Sequence, residues 1–518
     1  MRSKAIAIIA CVCALIVAVA AHLGTWEIEK ETGTQQRYIQ HEQAASLDDL
    51  SEADRAAASS TSIDPETFAS HLPVVSIDTR GQEVPGDVVT EEDGDAKLRP
   101  DGRYYETKTA EGLDYIIGDI DIIYDEGSAN QLSDDPIFSS QTRIRYRGHR
   151  SRDFPKRNYS LHFIDEEGNP VNEGVLGMPA DNGWILNGPY LDKSLIRNYL
   201  AYNVFGTFCE DTPEVRFCEL FVNDEYRGLF LCMEAVDVSE SRVSLTETEQ
   251  GVNSGPETSY MLKLDRYDMN AVTLDNLGSQ VGLLDSSLEV LYPKAEELTD
   301  EQLQWIEEDF SAFEKALYSY DYDTADYGYW NYIDVDSFVS YFIANEFSMN
   351  YDAALYSTYL SRDLRSGISL GPIWDFNSAF DNYAEADYSD ASGFTMVNRP
   401  WFTMLVKDED FIDAVIDRYR QLRQDVLSDE YLGNFIDSAL DFLGPAIERN
   451  WKVWGSTFDP TTLKAEHRLI PIERNPTSYE EAIGELRAFI DKRGTWLDTH
   501  IESLKQYSHE SAVKMDNH

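Results

Sequence analysis

The chain is poor in cysteine, histidine and positive charge. Its 518 residues include 5 Cys and 9 His, and 43 Lys or Arg stand against 94 Asp or Glu. Cys11 and Cys13 fall in an N-terminal apolar segment, which leaves Cys209, Cys218 and Cys232 for the folded part. Three thiols cannot all pair internally; one disulfide and three buried free thiols fit the count equally well. No C-x-x-C or similar spacing offers a zinc ligand set. The formal net charge of −51 excludes a broad basic surface, so nucleic acid and anionic membrane faces are not expected partners of the folded part. The simplest role of the acid excess is solubility. No internal repeat is present.

Apolar residues make up 42% of the chain, with 30 Tyr, 23 Phe and 9 Trp. That is enough for a sizeable core, in one large or two smaller units. Arg2 and Lys4 precede an apolar run from Ala5 to Leu23. Residues 1–23 therefore read as a signal peptide or an uncleaved membrane anchor, with the bulk of the chain outside the cytoplasm. Residues 24–71 are polar and acidic and are expected to be a disordered linker.

Order is expected from residue 72. Strands are predicted over Leu72–Ile77, Tyr115–Tyr124, Thr142–Gly148, Lys156–Phe163, Trp184–Leu186, Cys218–Val222, Tyr226–Met233 and Met261–Asp265. Asn223-Asp224 supplies a hairpin turn, and Glu91–Gly102 reads as an acidic loop. Helices are predicted over Asp192–Phe208, Asp300–Tyr318, Val335–Phe347, Asp408–Leu427, Asp429–Trp451 and Tyr479–Tyr507. The expected fold is α+β. A β-rich part runs to about residue 290 and a mainly helical part from 291 to 510, with a cleft between two lobes.

Two stretches carry candidate chemistry. In a chain so short of cations, Arg143, Arg145, Arg147, Arg150, Arg152, Lys156 and Arg157 cluster on one predicted hairpin. They are either surface partners for the acid excess or a cradle for phosphate, in which cations and backbone N–H groups face an anion. The second stretch is Asn345–Asn382. Asp352 follows a predicted helix end, and Asp375 sits between Trp374 and Phe376, twenty-three residues later. Acids with apolar flanks need a partner or a cation. A predicted hairpin between the two brings them toward one metal-phosphate site.

Three blocks, together with this acid pair and in this order, resemble the spore-coat CotH kinase family. They are Arg145-Tyr146-Arg147-Gly148-His149-Arg150-Ser151 with Phe154-Pro155-Lys156-Arg157-Asn158-Tyr159, then Trp184–Asn198, then Glu219–Glu234. The resemblance runs from about residue 72 to 500. It implies an atypical protein-kinase-like, two-lobed fold over residues 72–510 that transfers phosphate from ATP to protein Ser or Thr. It implies Mg2+ as cofactor and a secreted or cell-surface protein as acceptor, and charge alone favours basic flanks on that acceptor. On the matching positions Asp352 is the expected catalytic base and Asp375 the expected metal ligand. Lys156, Arg147, Gly148 and Ser151 are expected at the phosphates, and Glu234 at the adenine.

The sequence departs from the family pattern at two places. Ser357 stands five residues after Asp352 where the family carries Asn, and Asn377 stands two after Asp375 where Asp is frequent. Both side chains ligate a hard cation through oxygen, but more weakly, and Asn350 is a substitute ligand nearby. The alternative implied by these departures is a catalytically weak or inactive surface module. A wall-carbohydrate hydrolase using paired carboxylates leaves the basic hairpin unexplained. Asp265 and Asp381 are further acids near these elements, with no role assigned.

Overall fold

The computed structural model describes residues 34–91, 95–247, 255–364, 366–382, 390–461 and 474–514. The expected signal peptide or anchor, 1–23, lies outside the described residues. Among them, no helix is long and apolar enough to cross a membrane.

Seven strands form a closed barrel: β1 (Val74–Asp78), β2 (Ile116–Ile123), β3 (Phe138–Arg147), β4 (Asn158–Ile164), β5 (Gly183–Asn187), β6 (Val215–Val222) and β7 (Glu225–Glu234). Their order is β1-β2-β3-β4-β5-β7-β6, and parallel pairing of β1 with β6 closes the ring. Alternate residues fill the interior, among them Val75, Ile77, Ile120, Ile122, Ile144, Leu161, Phe163, Trp184, Leu186, Leu220 and Phe230. On β5–β7 the outer face is buried as well: Ile185, Val215, Phe217, Leu229 and Leu231 pack into the main core. Burial on both faces explains why Cys218–Val222 reads as a continuous apolar run. Asn223 and Asp224 turn the β6–β7 hairpin with φ of 52° and 61°, the conformation a two-residue hairpin turn requires.

A second sheet has the order β11-β10-β8-β9, from β8 (Tyr260–Asp265), β9 (Ser287–Tyr292), β10 (Thr358–Arg362) and β11 (Ser369–Leu370). Around it and the outer barrel face lie α1 (Arg197–Phe205), α2 (Asp300–Leu317), α3 (Val335–Ser348), α4 (Glu409–Arg423), α5 (Asp429–Leu443), α6 (Pro445–Trp454) and α7 (Tyr479–His500). The α+β class is as expected. The strand pairing, however, crosses the expected boundary near residue 290, because β10 of the helical part pairs with β8. The helix expected over Asp429–Trp451 is two helices, broken at Gly444 (φ 45°) and Pro445. Glycine accepts that left-handed backbone and proline starts the next helix without a lost hydrogen bond.

Residues 34–71 differ from the linker expected there. Gln40 is buried and grips both backbone groups of Phe217, accepting from its N–H at 2.7 Å and donating to its carbonyl at 3.3 Å. Ile39 joins the main core. The His41 ring packs edge-on against Phe435 at 4.5 Å. Arg449 of α6 donates to the Ser60 carbonyl at 2.7 Å and pairs with Glu219 of β6 at 2.6 Å, both side chains wholly buried. A few specific polar contacts thus hold a segment whose composition alone would leave it unfolded. Cys209, Cys218 and Cys232 are three buried free thiols.

Candidate functional site

The β3–β4 hairpin separates the basic cluster into two groups. Side chains at 143, 145 and 147 leave β3 on the face opposite Ile144, which fills the barrel. Arg145 pairs with Glu106 (2.6 Å) and Asp114 (3.3 Å), Arg152 with Glu106 (2.5 Å) and Arg157 with Asp87 (2.8 Å). Arg143 donates to the Gly168 carbonyl at 2.9 Å. Those four are structural partners. Arg147 and Arg150 have no ion pair among the described residues. Arg147 lies 5.5 Å over the Trp374 ring, a cation–π contact, so Trp374 is part of the site and not plain core, whereas Phe376 is fully core. Gly148 has φ 108°, and a Cβ there would come 1.9 Å from Ser151 Oγ. The tight turn at the hairpin tip therefore requires glycine.

Asp352 and Asp375 arrive from the other side. Helix α3 stops at Met349 in the left-handed conformation (φ 47°), and the chain turns into 350–357 before β10. Asn350 Nδ2 donates to Asn345 Oδ1 at 3.1 Å and to the Asp375 carbonyl at 3.3 Å, tying the two acid-bearing segments together. β10 and β11 form the expected hairpin, with Leu360 opposite Leu370. Asp375 follows β11 with φ 61°.

Both elements border one cavity of about 360 Å3. It is lined by Arg147, Gly148, Ser151, Asp352, Ser357, Asp375 and Asn377 from the expected set. Lys156 and Glu234 are not brought to it. The Lys156 ammonium points to the back of the hairpin, donating to the Leu229 carbonyl at 2.6 Å and to Asn450 Oδ1 at 2.8 Å. Glu234 accepts from Arg242 at 2.6 Å and from the Glu214 N–H at 2.8 Å. Asp381 pairs with Arg474 at 2.5 Å. Sequence reasoning missed Lys263, Arg266, Tyr202 and Tyr359, and gave Asp265 no role; all five line the cavity. Lys263 and Asp265 of β8 pair at 2.5 Å. A lysine inside the otherwise apolar run Met261–Leu264 was the available signal.

The electrostatics follow from this crowding. Burial, the charge of Asp352 and that of Asp265 push Asp375 up to about 7, against the pull of Arg147. Burial also raises Asp352, against Arg266. Asp265 is raised by burial too, but Lys263 outweighs that and holds it below the usual carboxylate range. Burial lowers Arg147, opposed by Tyr359 and Asp375. Neither Asp352 nor Asp375 has an ion pair among the described residues. Two half-buried carboxylates, one of which raises the proton affinity of the other, are suited to a cation between them. Among the described residues no group of three His, Cys, Asp or Glu is placed to hold a metal ion. Magnesium needs only one or two carboxylates when phosphate oxygens complete its shell, so Asp375, with Asn377 and Ser357 lining the same cavity, suits that ion. Asn350 Oδ1 is buried without a hydrogen bond among the described residues, and Asn350 does not line the cavity.

The chain is 24% identical over 261 residues to the inner spore coat protein H of Bacillus subtilis (strain 168), covering 48% of this chain and 63% of that protein. A family model described as CotH kinase protein matches residues 144–497, which include every residue of the cavity wall except Arg103. The chain belongs to the CotH kinase protein family.

Proposed function

We propose that this protein is an ATP-dependent protein kinase, acting on Ser or Thr of secreted or cell-surface proteins in a two-lobed kinase-like arrangement. The observation that carries the reading is one cavity lined by Asp352 and Asp375 together with Arg147 and Arg150, none of which has an ion pair among the described residues. Phosphoryl transfer consists mainly of positioning and charge stabilisation, and these are the groups it needs. Arg147, Lys263 and the hairpin tip at Gly148–Ser151 face the phosphates, and Arg150 stands exposed at the mouth. Lys263 takes the role first expected of Lys156, with Asp265 fixing its ammonium. Asp352 orients the acceptor hydroxyl and receives its proton as the oxygen attacks the γ-phosphorus and the bond from that phosphorus to the β–γ bridging oxygen breaks, releasing ADP. Its raised proton affinity makes it a better base than an exposed aspartate. Magnesium, held by Asp375 with Asn377 and Ser357, would supply charge neutralisation at the phosphate oxygens.

Radiolabel transfer from ATP to the protein itself and to Ser-containing peptides with basic or acidic flanks tests the proposal. Transfer by the wild type that disappears in Asp352→Ala supports it. Equal transfer by both proteins rules out Asp352 as the base, and none by either favours the non-catalytic surface module.

A further inference from the structure

The stretch Asp192–Asn198 ends the second of the three family-like blocks, yet only Asn198 of it lines the cavity. Its place in the fold suggests what it does. Asp192 accepts the backbone N–H groups of Ser194 (3.0 Å) and Arg197 (2.9 Å) and pairs with the Arg197 guanidinium at 2.6 Å, which fixes the start of α1. Asn198 and Tyr202 follow four residues apart, so they share one face of α1. That face meets the turn carrying Asp375. Tyr202 Oη accepts the Asp375 N–H at 3.1 Å, and Asn198 Oδ1 accepts the Phe376 N–H at 2.9 Å. The Asn198 amide is used at its other end too, donating to Asn187 Oδ1 of β5 at 3.2 Å. The Tyr202 ring packs against Trp374 (5.8 Å) and Phe376 (6.1 Å). Arg197 reaches past the turn to the Phe380 carbonyl at 3.3 Å.

The turn needs such support. Asp375 sits at φ 61°, a left-handed backbone that a non-glycine residue keeps only where its surroundings hold it. Its amide and the next lie in a part of the core where an unmade hydrogen bond is costly.

We propose that Asn198 and Tyr202 are positioning residues for Asp375. Resting on the kinase reading above, this assigns to α1 the task of aiming the cation-binding carboxylate into the cavity. The two side chains do so through consecutive backbone amides. Helix α1 thereby joins β5 of the barrel, through Asn187, to the turn after β11.

Two variants isolate the effect. Tyr202→Phe keeps the ring and removes only the hydroxyl; Asn198→Ala removes the second acceptor. Amide hydrogen exchange over the peptide 373–380 reads the turn directly and needs no ligand. Each variant is expected to speed exchange there by about tenfold, the effect of losing one buried hydrogen bond, while the barrel strands exchange as in wild type. Calorimetric titration with ATP, with and without Mg2+, gives the functional side. Each variant is expected to lower the Mg2+-dependent affinity by about tenfold and the Mg2+-free affinity by less. Unchanged exchange at 373–380 in both variants overturns the proposal. So does an equal loss of affinity with and without Mg2+, which a merely structural role would give. Failure of the wild type to bind Mg–ATP would instead overturn the kinase reading, while the exchange result still decides whether α1 holds the turn.

Discussion

Glu219 and Asp375 are both acids set among apolar side chains, and the fold treats them in opposite ways. Glu219, on β6, receives two hydrogen bonds from Arg449, at 2.8 and 2.6 Å, and one from the Tyr226 hydroxyl at 2.5 Å. Burial raises it, but Arg449 outweighs burial and its proton affinity ends below the ordinary value. Asp375 meets Asp352 where Glu219 meets Arg449, and its proton affinity rises. Complete pairing marks a structural joint, here between the barrel, α6 and the segment at Ser60. An acid with no ion pair among the described residues and a raised proton affinity marks a candidate functional site.

That contrast breaks most readily at Arg449. Arg449→Met leaves Glu219 charged and unpaired in the core, and chemical denaturation should show a loss of about 3–5 kcal/mol. The nucleotide affinity of the remaining folded protein should be close to wild type. Asp375→Asn should do the reverse and stabilise the ligand-free protein at neutral pH by about 2–4 kcal/mol. The sign follows from a folded value of about 7 against the ordinary aspartate value of 3.8. The wild-type contribution is fully present below the lower value and is lost as pH rises through the upper one. The melting difference between variant and wild type should therefore be near zero below pH 4, grow up to about pH 7 and then level off. A constant difference across that range would mean that Asp375 is not the titrating group.

Smaller effects sharpen the division between the back of the hairpin and its front. Lys156→Met removes the ammonium's hydrogen bonds to the Leu229 carbonyl and to Asn450 Oδ1 and should cost about 1–3 kcal/mol of stability, with ATP affinity of the folded protein unchanged. Lys263→Met should weaken ATP binding by about tenfold with a lesser effect on stability. If Lys156→Met were the variant that lost ATP and Lys263→Met were silent, the two lysines would have to exchange roles.

Much of this arrangement is legible in the sequence, and what is not has a common cause. Period-two alternation in Thr142–Gly148 locates β3 and puts its arginines on one face. The hairpin between Asp352 and Asp375 follows from the apolar runs that flank its turn. Lys156 is misplaced by the sequence because it stands in a cluster of arginines that reads as a phosphate cradle. Its actual partner, Asn450, is 294 residues away, and no local pattern reports such a contact. Lys263 and Asp265 went without a role for the same reason: β8 reaches the cavity only through pairing with β10, Lys263 opposite Tyr359. The segment from residue 34 looked unfolded because few of its residues are apolar. It is held instead by Gln40, His41 and a buried arginine from α6.

The most direct measurement is a calorimetric titration of the full chain with ATP in the presence of Mg2+, beside Asp375→Ala. Saturable, Mg2+-dependent binding by the wild type that falls by at least about tenfold in Asp375→Ala is the expected result. Absence of binding by the wild type, or binding that survives the substitution undiminished, contradicts a phosphoryl-transfer site built on Asp375.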